Sequence, residues 1–120
     1  MARSQQVTSN EYPYLPVRFG IRDHVGDESA LLDTGFTGSL AIPASWRNRL
    51  GRPDAWGRWR LADGSIIHAP IYLGSVEIIG LPPVQPATIV VVGNEYILGR
   101  RVLDRFEITF DHGQRVIVRP

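Results

Sequence analysis

Cysteine is absent from the 120 residues, which excludes disulfides, thiolate nucleophiles and cysteine-held metal. Lysine is absent too, so arginine supplies all 13 basic side chains. They stand against 12 carboxylates, for a net charge of +1. A balance this even sets up no strong field toward nucleic acid or an anionic membrane, and neither is expected as a partner. Long apolar runs are missing: the most apolar stretch, Ala87 to Val92, falls far short of the ~20 residues that cross a bilayer as a helix. The first ten residues are polar, without an apolar core of signal-peptide type, so a cytoplasmic location is expected. His24, His68 and His112 lie far apart, without metal-ligand spacing. The serines lack a Gly-x-Ser-x-Gly elbow, and no glycine-rich phosphate loop is present. Neither metal nor cofactor is expected.

What the chain does have is many short β-type runs broken by turn residues. Its length suits one domain, and a domain this small buries only roughly two-thirds of its unfolded surface, so association would help it. Residues 1–11 are polar and read as a flexible segment; residues 12–120 read as the domain. Tyr12 to Arg22 is strand-like, with Pro13 and Pro16 suggesting a sheet edge. Residues 23–28 read as a polar turn, and Ser29 to Thr34 as the return strand. Ser39 to Ile42 is a short buried strand. Pro43 to Leu50 is a short helix, with proline at its start and Gly51 beyond its end. Ala55 to Ala62 and Ser65 to Tyr72 form a hairpin about Asp63-Gly64, a strong turn signal. Val76 to Ile79, Ala87 to Val92 and Tyr96 to Leu98 follow as strands. A short helix over residues 100–105 and two final strands, Phe106 to Asp111 and Arg115 to Val118, complete the chain. Strands at this spacing point to an all-β barrel or sandwich with one or two short helices.

The segment Leu31-Leu32-Asp33-Thr34-Gly35-Phe36-Thr37-Gly38-Ser39-Leu40 occurs once. A buried strand delivers a carboxylate into a tight turn, where it needs hydrogen bonds to offset its desolvation. Gly35 lets backbone N–H groups reach it, and Thr34 adds a hydroxyl able to tie the loop to a neighbour. An Asp-x-Gly turn is also an ordinary structural turn, so the tripeptide alone decides little. Two further features stand in order behind it: the Asp63-Gly64 hairpin, and Ile97-Leu98-Gly99 leading into the second helix. Arg47, Arg49, Arg52, Arg58 and Arg60 cluster about Trp56 and Trp59; with near-neutral total charge, this reads as a solvated basic face and not as a nucleic-acid platform.

With these three elements the chain resembles the retropepsin-like aspartic proteases, the retroviral enzymes and their bacterial single-domain relatives, over roughly Pro16 to Val118. The resemblance implies a small closed barrel, half of a pepsin, with a flap hairpin near residues 62–66. It implies a homodimeric aspartic endopeptidase acting on peptide or protein substrates, because the chemistry needs two carboxylates sharing one proton and each chain offers one. Asp33, Thr34 and Gly35 would then be the catalytic loop. Phe36, Thr37, Gly38, Ala62, Asp63, Gly64 and Ser65 would contact substrate, and Ile97, Leu98 and Gly99 would support the loop. Arg100 takes the place of an arginine that, in the retroviral enzymes, pairs with an aspartate two positions beyond the catalytic glycine; here that place holds Thr37, so the partner of Arg100 is left open. The terminal strand, Gln114 to Arg119, with part of the N-terminal segment, would join an intersubunit sheet. The alternative is a non-catalytic barrel of the same fold that binds peptides or scaffolds a partner.

Overall fold

Strand alternation builds the first hairpin. In the computed structural model, which describes residues 5–60 and 63–120, β1 (Val7–Ser9) is followed by β2 (Tyr14–Ile21) and β3 (His24–Leu32). Leu15, Val17, Phe19 and Ile21 take every second position of β2 and are fully buried, the period of a strand with one face on the core. β2 and β3 pair antiparallel from Tyr14↔Leu31 to Ile21↔His24. Only Arg22 and Asp23 remain for the turn, so the polar stretch 23–28 is mostly strand. It reads as a turn because Asp27, Glu28 and Ser29 face solvent. Gly26 serves packing, since a Cβ there would lie 2.5 Å from the Phe19 ring.

β4 (Leu40–Ile42) leads through Pro43 into a 3-10 turn, Ala44–Trp46, and α1 (Arg47–Leu50). Gly51, at φ 75°, ends the helix. Buried Trp46 donates from Nε1 to the Tyr96 hydroxyl at 2.9 Å and meets Phe19 edge-on at 5.2 Å. β5 (Ala55–Arg60) and β6 (Ile66–Ile78) form the hairpin about Asp63-Gly64, in register from Ala55↔Ile71 to Arg60↔Ile66.

β6 is one long strand where two were expected, at 65–72 and 76–79. Its pairing with β7 (Val84–Val91) slips between Gly74 and Val76 without a break. Gly74 is what lets it continue, because a Cβ there would come 2.0 Å from the Gly20 carbonyl oxygen. Beyond that contact β6 pairs with β2, from Gly20↔Ser75 to Val17↔Ile78. With β8 (Ile97–Leu98), the order β2-β3-β8-β4-β7-β6 closes on itself as a six-strand barrel, and β5 hangs outside on β6. β2 is thus no edge strand; Pro16 sits one residue outside the β6 ladder. The core runs through the barrel around Tyr72, Phe19, Leu15, Ile89 and Leu98, all fully buried.

After β8 come α2 (Arg100–Leu103), β9 (Glu107–Asp111) and β10 (Arg115–Arg119). The segment ahead of residue 12 is not loose throughout: β1 pairs with β10, from Val7↔Val118 to Ser9↔Val116. The second sheet is ordered β1-β10-β9, with Val116 and Val118 fully buried. β10 therefore has both edges occupied within its own chain, which leaves none for the intersubunit strand pairing expected of it.

Candidate active site

β8 separates β3 from β4. Leu31 and Leu32 pair with Ile97 and Leu98 in parallel on one side, and Leu40 and Ala41 pair with Leu98 and Ile97 antiparallel on the other. Residues 33–39, which join β3 to β4, therefore arch over the end of β8. Four backbone bonds stitch the arch to the strand and helix beneath: Asp33 N–H to Leu98 O at 3.0 Å, Gly99 N–H to Ser39 O at 2.9 Å, Arg100 N–H to Phe36 O at 2.9 Å and Arg101 N–H to Gly38 O at 3.1 Å. Such pairing fixes backbone groups that burial would otherwise leave unsatisfied. The side chain of Arg100 is exposed and forms no ion pair among the described residues.

Asp33 follows the last residue of β3, with its side chain partly exposed. Gly35 donates its N–H to Asp33 Oδ1 at 2.8 Å, and Phe36 donates to the Asp33 carbonyl at 3.2 Å. A Cβ on Gly35 would crowd Oδ1 at 3.1 Å, so glycine keeps this approach open. The carboxyl group opens on a cleft of about 280 Å³, whose wall includes Phe36, Trp59, Arg60, Ile67 and Ile97. The Phe36 and Trp59 rings lie 5.8 Å apart, tilted by 53°. A carboxylate so placed is oriented by one N–H and open to a bound molecule, which suits acid–base work.

Asp33, Gly35, Phe36 and Ile97 thus share one cleft. Gly38 lies under the Phe36 ring, 2.6 Å from where its Cβ would be, and borders a small recess with Trp59 and Ile71. Thr37 is exposed. Thr34, also exposed, faces a different groove of about 390 Å³ with Leu32, Leu103, Phe106, Ile108 and Phe110. Asp63, Gly64 and Ser65 form the exposed hairpin tip and are not among the residues lining the Asp33 cleft. There Asp63 Oδ1 accepts from Ser65 Oγ at 2.6 Å and from Ser65 N–H at 2.9 Å, and these bonds hold the Asp63 carboxyl below the ordinary carboxylate range. Ala62 lies outside the described residues.

Trp59 and Arg60, set aside above with a solvated basic face, line the cleft instead. Alternation along β5, which turns Trp59 away from the face that carries Arg58 and Arg60, was the available signal for the tryptophan; Arg60, the last residue of β5, carried no local signal. Gly57 makes room for the indole, since a Cβ there would touch Trp59 Nε1 at 3.0 Å. That Nε1 is buried without a hydrogen-bond partner among the described residues.

Among the described residues no helix is long and apolar enough to cross a membrane. No protein-family model and no curated protein matches the chain. Solved structures do match, among them a retropepsin-like aspartic protease from Rickettsia conorii, with a TM-score of 0.61 and 15% identity over 99% of this chain and 95% of that chain. At that identity the likeness is one of fold, and the chain has a retropepsin-like, all-β closed barrel.

Proposed function

We propose that the protein is a homodimeric aspartic endopeptidase, with Asp33 of each subunit forming the catalytic pair. The observation that carries this reading is the Asp33 carboxyl group, oriented by the Gly35 N–H and open to a cleft large enough for side chains. One such carboxylate stands in each chain's cleft. The reaction needs two within reach of one proton, since like charges that close do not both ionise. The ionised carboxylate takes a proton from water as the water oxygen attacks the scissile carbonyl. The protonated carboxyl donates to the carbonyl oxygen, giving a gem-diol. Return of a proton to the amide nitrogen lets the C–N bond break, and no covalent enzyme intermediate forms.

Thr34 supports the dimer. Its exposed hydroxyl forms no hydrogen bond among the described residues and borders the apolar groove of Leu32, Leu103, Phe106 and Phe110. A second copy applied to this face, in an isologous contact, brings the two Asp33 loops together and lets Thr34 brace them. With β10 already paired on both edges, the contact rests on this side-chain face. The β5/β6 hairpin, with Asp63-Gly64 at its tip, acts as the flap that closes on substrate and excludes water. Gly99, Leu98 and Ile97 hold the catalytic loop from below.

The test is solution mass and binding of a pepstatin-type transition-state mimic, for the wild type and for Asp33→Asn. A dimer that binds the mimic and cleaves peptides, with both lost in the variant, supports the shared pair. A monomer at high concentration that ignores the mimic removes the peptidase reading and leaves a peptide-binding barrel.

A further inference from the structure

The cleft wall supplied by β5 is cationic and lacks counter-charges. Arg60 lines the cleft with Asp33. Arg58, two residues away on the same face of the strand, lines an adjoining recess of about 190 Å³ with Trp59, Arg60 and Ile66. Four arginines elsewhere on the molecule are neutralised by carboxylates: Arg18 by Asp27, Arg22 by Asp54, Arg115 by Asp111 and Arg119 by Glu107. Arg58 and Arg60 form no ion pair among the described residues, and Arg60 reaches only the Gly64 carbonyl, at 3.4 Å. The other titratable groups on this hairpin are His68, opposite Arg58 in the ladder, and Asp63, whose Oδ1 is engaged by Ser65. Residues 61 and 62 are leucine and alanine, so they bring no charge.

On the reading of the preceding subsection, two such walls face one substrate. The Arg60 guanidinium of each subunit lines this cleft, two positive charges against one negative charge on an Asp33 pair that shares a proton, and Arg58 adds charge from the adjoining recess. We propose that the cleft selects peptides in which an acidic side chain flanks an apolar residue. The apolar side chain lies against Phe36, Trp59 and Ile97, and the Asp or Glu carboxylate engages Arg60, with Arg58 steering from the adjoining recess. Arginine suits this role because its planar fork matches a carboxylate with two parallel hydrogen bonds. A nucleic acid fits less well, because its phosphates would be brought against the Asp33 carboxylates, and Trp59 is packed on Phe36 and not free to stack. The inference depends on the peptidase reading only for where the peptide lies.

The experiment compares three labelled peptides with one Leu-Phe centre, flanked by Glu, Gln or Lys, in which a CH2–NH link replaces the scissile amide, binding to the wild-type protein, which cannot cleave them; their amide forms serve the cleavage assay. The Glu peptide is expected to bind about tenfold more tightly than the Gln peptide, the scale of one charge-assisted contact, and the Lys peptide most weakly. The gap narrows in about 0.5 M NaCl, where screening shortens the reach of charge. Arg60→Gln brings the Glu peptide down to the affinity of the Gln peptide, and Arg60→Lys restores part of the difference. Equal binding of the Glu and Gln peptides overturns the inference. So does no binding at all, a preference that survives Arg58→Gln combined with Arg60→Gln, or an oligothymidylate bound more tightly than the Glu peptide. Cleavage by the wild type is read separately. Equal cleavage of the Glu and Gln peptides defeats this inference and leaves the peptidase reading intact. An Arg60-dependent preference in a protein that cleaves nothing defeats the peptidase reading and leaves this one.

Discussion

Gly99 lies directly beneath Gly38: a Cβ on Gly99 would stand 2.2 Å from the Gly38 carbonyl oxygen and 2.8 Å from that of Phe36. Both are backbone atoms of the Asp33 arch, and the arch is tied to Gly99 and Arg100 by hydrogen bonds, so neither moves freely. Gly99→Ala is therefore expected to cost about 3 kcal/mol, at the upper end for overpacking a fixed site, and to displace the loop. Gly38→Ala meets the Phe36 side chain instead, which can rotate away, so its cost is about 1 kcal/mol. Urea unfolding of the two variants checks the order; equal midpoints would show that the arch is not held from below.

Acid should weaken the fold at Asp54. Its Oδ2 accepts from the Leu73 N–H at 2.8 Å and its Oδ1 from Arg22 at 3.2 Å. These contacts, led by the Leu73 bond, hold the carboxyl below its ordinary range. A carboxylate easier to ionise in the folded chain adds stability above its unfolded pKa of about 3.9, and that share is lost as pH falls through the lower folded value. Asp54→Asn should thus lie below the wild type at neutral pH and converge with it in acid. Urea midpoints at pH about 7 and about 3 decide this; a constant difference would remove ionisation as the cause.

Trp59 sets the width of the cleft. It packs on Phe36 at 5.8 Å and lies over Gly57. Trp59→Ala should weaken binding of the pepstatin-type mimic about tenfold, given the worth of a buried aromatic pair, with Trp59→Phe falling between. Gly57→Ala, which pushes on the indole and on Ile71 Cδ1 at 2.8 Å, should lower the affinity in the same direction. Calorimetric titration measures all three, and unchanged affinity in Trp59→Ala would show that bound molecules do not reach this wall.

How much of this was legible in the sequence depends on how local each signal is. The Asp33 turn, the Asp63-Gly64 hairpin and the Gly51 helix end carry their chemistry within a few residues, and the geometry at each follows the residue types. The barrel follows from the many short strands. The polar strand over residues 24–28 was hidden because its partner, β2, carries the apolar face. The continuity of β6 was hidden because Gly74 and Ser75 read as a break, when Gly74 is the point where β6 crosses Gly20 of β2. β1 was hidden because three residues of Val-Thr-Ser gain their order only from β10, more than a hundred positions away. Trp59 and Arg60 illustrate the same limit at the site: alternation separates their faces, and only the fold of the hairpin over the barrel brings both side chains to the wall of the Asp33 cleft.

Phe110 tests the proposed dimer face without touching the cleft. It is 47% exposed, meets Tyr12 edge-on at 6.0 Å, and shares the apolar groove with Thr34, Leu103 and Phe106. An aromatic ring this exposed adds little to the isolated fold, but a carboxylate in its place would be buried without a partner at an isologous contact, and twice over because of the symmetry. Phe110→Glu should therefore keep the β circular-dichroism spectrum, sediment as a monomer at concentrations where the wild type is a dimer, and lose both peptide cleavage and mimic binding. Phe110→Leu should keep the dimer. If Phe110→Glu stays dimeric and active, the two Asp33 loops meet across some other surface; if it becomes monomeric and still cleaves peptides, a single carboxylate suffices and the shared proton is not the source of catalysis.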